Sequence, residues 1–498
     1  MSKRHMLIKA ILCLVVVPVL FSNEALSFER YDYDRIKDEF SDYYCPMPKA
    51  EGASENTAPC LLDKTLTLKA ALNMALKNNP DTQIAAARID QSRAMLKKSS
   101  AAFMPSINVY TEYTQGDFPS GFLFKTIDQR TFDPTTNFND PGTIKNFESG
   151  VSAQMSLFSG GRNVLGRAMA KEDLTMNTWD SMAARNNVAA QLVNAWYDSL
   201  SAGEFIKIAE ESVATVKSQL DIMTVRFQGG SALKSDILSL NVRLAQAEED
   251  LLKSKNRFKL ATAALATILG VYPTRDISID TAPFSLANIP EKYEQGMAVA
   301  LEHRPELNKV RAAVRKSRMA TDMSKSAFLP TASLMGKYYL DDRHMDYSTD
   351  RENWAVGVML NWNLFSGFSD MAGSALSDSN LREALSSDRK ALLSISFDVK
   401  NAYIRCDEAT ARIDVARRSV LMSQESLDLV KKQYEGGSAT ITRYLEAELD
   451  RNTAKIRATS AYYDHEKALA DIARSTGLLS SPEALISDAS KENDHEKK

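Results

Sequence analysis

The residues able to do bond-breaking or metal chemistry are few in this chain and poorly placed for it. The five histidines, His5, His303, His344, His465 and His495, are scattered along the whole length. None lies in an HExxH pattern or beside a cysteine pair, the spacings that put several ligands on one metal. No GxxxxGK[ST] loop is present to cradle the phosphates of a nucleotide. Single carboxylates along helical stretches read as solvated charges. These residues point to a protein that is not an enzyme and takes no metal and no cofactor. Cys45 and Cys60 flank a stretch containing Pro, Gly and Ser, in a chain that reads as exported. A disulfide is expected between them, with two free surface thiols as the alternative. Closing a loop of that length contributes roughly 3 kcal/mol when unstrained.

Export is read from the first residues. "MSKRHMLIKA" is basic, "ILCLVVVPVLF" is apolar, and Ala25, Leu26 and Ser27 form a small-x-small cleavage site. That order is a secretory signal peptide over 1–27, and the apolar run is too short for the ~20 residues of a membrane-spanning helix. The chain carries a net charge of −3, and Lys3, Arg4, Lys9 and Glu24 give the signal +2, which leaves −5 for the rest. A basic face for nucleic acid is not in evidence.

The elements that follow are present twice. "ALKNNPD" (75–81) matches "ALEHRPE" (300–306) and "AFMPS" (102–106) matches "AFLPT" (327–331), both at an offset of 225. "LFSGG" (157–161) matches "LFSGF" (364–368) at 207, as do the glycine pairs Gly229–Gly230 and Gly436–Gly437. The first copy therefore carries 18 extra residues (225 − 207) between Pro105 and Phe158. Each copy reads as helix, strand, loop, strand, long helix, glycine turn, long helix. A 28–64 extension precedes repeat 1 (65–286), with strands at about 106–114 and 147–158 and long helices at about 163–227 and 233–269. Repeat 2 (287–479) has strands at about 331–340 and 353–365 and helices at about 370–435 and 440–475. A polar tail, 480–498, closes the chain.

The strands alternate. Phe147, Val151, Ala153, Met155 and Leu157 oppose Glu148, Ser152, Gln154 and Ser156; Trp354, Val356, Val358, Leu360, Trp362 and Leu364 oppose Ala355, Gly357, Asn361 and Asn363. Period two ending in aromatics is the pattern of a membrane β-strand, and a half-buried soluble sheet shares it. The helices keep an unbroken 3-4 seam, from Leu392 through Ile395, Val399, Ala402, Cys406 and Ala409 to Tyr434. That is coiled-coil spacing, with Cys406 as a small apolar residue of the seam. "GDFPSG" and "NDPGT" in the longer first loop read as turns.

With "LTLKAALNMALKNNP", "FMPS"/"FLPT", "LFSGG"/"LFSGF" and the turns "FQGG…DIL" and "YEGG…RYL", the chain resembles the outer-membrane efflux protein family of the TolC type from about Leu66 to Leu478. The resemblance implies a mainly α protein with a small β part. Its homotrimer would be a 12-stranded β-barrel in outer-membrane lipid, continued by an α-helical coiled-coil tunnel through the periplasm of a Gram-negative cell. It implies the exit duct of a tripartite efflux or type I secretion system, working with a periplasmic adaptor and an inner-membrane transporter of the RND or ABC type. The rival readings are a periplasmic coiled-coil adaptor and a structural surface protein. Four strands cannot close a sheet and an open edge is not tolerated in lipid, so chains must pool strands. Pro105, Pro330, Gly160 and Gly367 then mark the passage from helix to barrel, and the longer first loop is expected outside the cell, near Thr136.

The same resemblance places a gate at the glycine turns, which would lie at the periplasmic tip with Phe227 and Tyr434 leading into them. In the family the second turn carries an arginine two residues after its second glycine and acids at six and nine. The arginine locks the tip against an acid of the first turn, and the acids favour cations. Here those positions are Ala439, Arg443 and Glu446, while the first turn keeps Asp236. The usual lock is missing and one acid ring has become basic. Two readings follow: Arg443 pairs with Asp236 and takes over the lock, or it pairs with Glu446 on its own helix.

Overall fold

The computed structural model describes residues 65–274, 277–280, 289–344 and 349–480. The expected signal peptide, the Cys45–Cys60 pair and nearly all of the tail lie outside them. In chain order the elements are α1 (Leu68–Asn78), α2 (Pro80–Ser100), β1 (Ser106–Gly116), α3 (Pro119–Asp128), β2 (Ile144–Phe158), α4 (Arg162–Gln228), α5 (Lys234–Ile268), α6 (Tyr293–His303), α7 (Pro305–Ser324), β3 (Thr331–Asp342), β4 (Glu352–Asn361), α8 (Ser369–Glu435) and α9 (Ile441–Ser475). The two copies match in length: α4 and α8 have 67 residues each, α5 and α9 have 35. At 1.5 Å per residue the longer pair extends about 100 Å.

Prolines set the breaks at the start of each copy. Thr67 caps α1 by accepting from the Ala70 N–H. Pro80 and Pro305 then begin new helices, where a missing N–H costs nothing. The chain divides into two units, one holding Met95–Met169 and Met319–Asp378, the other holding the remaining helical segments.

The first unit is built on an antiparallel four-stranded sheet in the order β1-β2-β3-β4. One face exposes Ile107, Val109, Tyr113, Trp354, Val356, Val358 and Leu360. On the other face Glu148 lies opposite both Glu112 and Asp341. β4 is shorter than the expected 353–365: the chain leaves the ladder at Trp362, whose indole N–H donates to the Phe328 carbonyl at 3.1 Å. The loop between β1 and β2 is not made of turns alone. Pro119 opens a helix, α3, and Phe132 and Phe138 stack beyond it with ring centroids 5.7 Å apart.

The second unit is helical. Along α8 the seam from Ile395 to Tyr434 is buried or half-buried at every position, as 3-4 spacing requires. Leu392, the first residue of that seam in the sequence, is exposed. Burial pushes the Cys406 thiol up, away from the reactive thiolate. No described helix is long and apolar enough to cross a membrane.

Candidate functional site: the two glycine turns

Both long hairpins reverse by the same backbone device. After α4 the N–H groups of Gly230 and Ser231 donate to the carbonyls of Phe227 and Arg226 at 2.9 Å each. After α8 those of Gly437 and Ser438 donate to Tyr434 and Gln433 at 3.1 and 2.8 Å. These are Schellman caps, and each needs a left-handed residue: Gly230 has φ +75° and Gly437 φ +77°. Gly229 and Gly436 precede them without positive φ.

Behind each turn a new helix starts, and its third residue carries a charge of opposite sign in the two copies. In α5 it is Asp236, after Lys234 and Ser235; in α9 it is Arg443, after Ile441 and Thr442. The Thr440 hydroxyl accepts from the Arg443 N–H at 3.3 Å. Its counterpart Leu233 offers no such cap.

The turns rest on a shared apolar cluster. Val216, Met223, Leu240, Leu427, Val430, Ile441, Tyr444 and Ala447 are buried together, from all four long helices. Tyr434 packs against it, its ring stacked on Tyr444 at 5.6 Å and its hydroxyl 3.8 Å from the Met223 sulfur. Burial lifts the Tyr434 phenol, Arg226 works against that, and Asp236 adds to it. Phe227 remains 41% exposed. Within the chain Arg443 reaches Glu446 at 3.3 Å, both side chains more than half exposed, and makes no ion pair with Asp236.

The passage from helix to strand repeats as well. Pro105 and Pro330 each follow a short 3-10 turn and precede β1 and β3. Gly160 and Gly367 have φ +62° and +63°, and a Cβ on Gly160 would come 2.9 Å from the Ser326 carbonyl. At the next residue the copies differ in type but not in backbone: Gly161 has φ +84°, and Phe368 takes the same conformation at +67°.

Two features escaped the sequence reading. One is α3. The other is a buried charge cluster beyond the second turn. Glu448, fully buried, accepts from Arg243 at 2.9 Å and from Ser212 at 2.9 Å, and bonds Asn452. Beside it Arg451 donates to Glu211 at 2.6 Å. Burial pushes the Glu211 carboxyl up, but the bonds from Lys455 and Arg451 outweigh it and hold it below the usual carboxylate range. The signal was present, because Glu448 and Arg451 continue the 3-4 stripe of Ile441 and Tyr444.

A duplicated helical hairpin with an amphipathic strand pair defines an outer-membrane channel component. The sequence profile described as outer membrane efflux protein matches residues 71–271 and 297–478. The chain belongs to the outer membrane efflux protein family. The pyoverdine export outer membrane protein OpmQ of Pseudomonas aeruginosa is 21% identical over 382 residues, 76% of this chain and 78% of that one. The alkaline protease secretion protein AprF of the same organism is 24% identical over 430 residues, 82% and 83% of the two. The Campylobacter jejuni CmeC outer membrane channel superimposes with a TM-score of 0.71 at 17% identity, covering 91% of this chain and 98% of that one. The protein is an outer-membrane duct for export, reaching into the periplasm, as the resemblance implied.

Proposed function

We propose that three copies form one duct, closed by twelve strands in the outer membrane and walled by the long hairpins in the periplasm. The sheet carries this reading. Its order leaves β1 and β4 each with an unpaired edge, and its apolar face needs lipid. In a bilayer such edges must be paired, and a closed ring of strands pooled from several chains is the solution. The helices add support: Phe397, Ile404, Val415, Met422 and Leu429 stand exposed along α8, at intervals of seven and eleven residues that suit a neighbouring helix. A periplasmic adaptor and an inner-membrane transporter of the RND or ABC type would supply the energy, since the chain has no nucleotide loop. Relatives are named for pyoverdine export and for alkaline protease secretion, so ducts of this kind serve both small molecules and polypeptides.

At the tip, Asp236 and Arg443 are proposed as the gate, paired between neighbouring chains. The supporting observation is that they occupy matching third positions of the two helices that follow the turns. Purified in detergent, the protein should run as a trimer with a helix-dominated spectrum in light scattering and circular dichroism. A stable monomer without detergent would contradict the duct.

A further inference from the structure

We propose that α3 is a lid inside the outer mouth of the duct, latched to the barrel wall by Lys125. The inference rests on the duct reading, which makes the polar face of the sheet the lumen. On that face the register aligns three carboxylates across three strands, Glu112, Glu148 and Asp341. Like charges directly opposite destabilise a sheet. Glu148 has local relief, accepting from the Tyr110 hydroxyl at 2.8 Å with Lys337 at 3.5 Å. Asp341 is fully buried, and the cation that reaches it comes from α3: Lys125 Nζ lies 2.9 Å from Asp341 and 2.7 Å from Glu148.

The latch is one of several bonds that lay the loop across the sheet. Gln129, 1% exposed, donates to Asn146 Oδ1 at 2.7 Å and to the Lys145 carbonyl at 2.9 Å. Asn146 passes the contact on to Asp341 at 2.6 Å. Arg130 reaches Asn353 on β4 at 3.3 Å, and Asn353 donates to the Asp128 carbonyl at 3.4 Å. These partners all sit at the end of the strands next to the long loop, so the helix covers the wall at the mouth. α3 also leaves Phe124 64% and Ile127 41% exposed. Apolar side chains at a narrow mouth obstruct passage by expelling water. The second copy joins its strands by a shorter link, residues 343–351, in place of residues 117–143, so the lid belongs to the first copy alone.

Lid position can be read from outside, independently of the periplasmic tip. Gln154→Cys places a thiol on the lumenal face of β2, deeper than Glu148. Its labelling on intact cells by a bulky, membrane-impermeant maleimide is measured over the blank set by the chain's own cysteines. It should be slow in the otherwise unaltered chain and rise about tenfold when Lys125→Met and Asp341→Asn are combined. The double substitution removes both charges of the Lys125–Asp341 pair and leaves Glu148 its Tyr110 and Lys337 partners, and an epitope near Thr136 confirms that the chain reaches the surface. Lys125→Arg should keep the slow rate. Equal rates with and without the latch, in chains that display the epitope, would overturn the lid. Val356→Cys, on the lipid face, should stay unlabelled throughout. If it labels as fast as Gln154→Cys, the assignment of faces fails, and the duct reading fails with the lid.

Discussion

At the first turn the new helix places Asp236 at its third residue and starts without a side-chain cap; at the second it places Arg443 there and is capped by Thr440. A carboxylate in a first helical turn is favoured by the helix dipole by about 0.3–1 kcal/mol, and a cation is disfavoured comparably. A threonine cap contributes about 1 kcal/mol. Asp236 thus favours the first new helix while Lys234 before it works against that, and the second new helix is held by its cap in spite of Arg443. Duplication kept the backbone device, glycines included, while the charges diverged. The proposed lock would give Arg443, which opposes its own helix dipole, a partner outside that helix.

A further difference between the copies lies beyond the turns, in burial. Glu448 and Asn241 are equivalent at the offset of 207, but Glu448 is fully buried against Arg243, whereas Asn241 is exposed and bonds only its own helix. Glu448→Ala leaves Arg243 without its carboxylate and should cost about 3–5 kcal/mol; Asn241→Ala should stay within about 0.5 kcal/mol. Thermal or denaturant unfolding of the purified protein measures both, and equal effects would deny the asymmetry.

Within the turns themselves smaller effects are expected. Gly437→Ala and Gly230→Ala should each cost about 1–2 kcal/mol, because a Cβ is strained at positive φ, and the two costs should be alike. Gly436→Ala, at ordinary φ with the Lys432 carbonyl 3.4 Å from the added Cβ, should cost less. Thr440→Ala should lose about 1 kcal/mol, and Leu233→Thr should gain a comparable amount by giving the first helix the cap it lacks. Proteolysis at the hairpin tips reports these differences locally, and a loss on Leu233→Thr would show that the turns are not equivalent in backbone.

Much of this architecture was legible because it rests on periods and punctuation. The seam of Ile395, Val399 and Ala402 and the alternation through Val356 and Val358 are spacing signals, and the glycine pairs are conformational ones. The helix α3 was hidden because "GDFPSG" has the composition of a turn, and what fixes it is a tertiary bond from Lys125 to a strand more than two hundred residues away. Glu448 was passed over although it continues the stripe of Ile441 and Tyr444: a carboxylate on a helix is ordinarily solvated, and here Arg243 from the other copy pairs with it in the core. Of the proposed gate, Asp236 and Arg443 could be placed behind their turns from the sequence. The pairing proposed for them would need a neighbouring chain, which the period of one chain does not encode.

Single-channel conductance in a planar bilayer tests that pairing most directly. With a lock between Asp236 and Arg443, Arg443→Asp should raise the conductance of the duct, and adding Asp236→Arg to the same chain should bring it back down. If Arg443 serves only Glu446 on its own helix, a pair worth about 0.2–0.5 kcal/mol, conductance will stay low in Arg443→Asp, and the account of the gate is wrong.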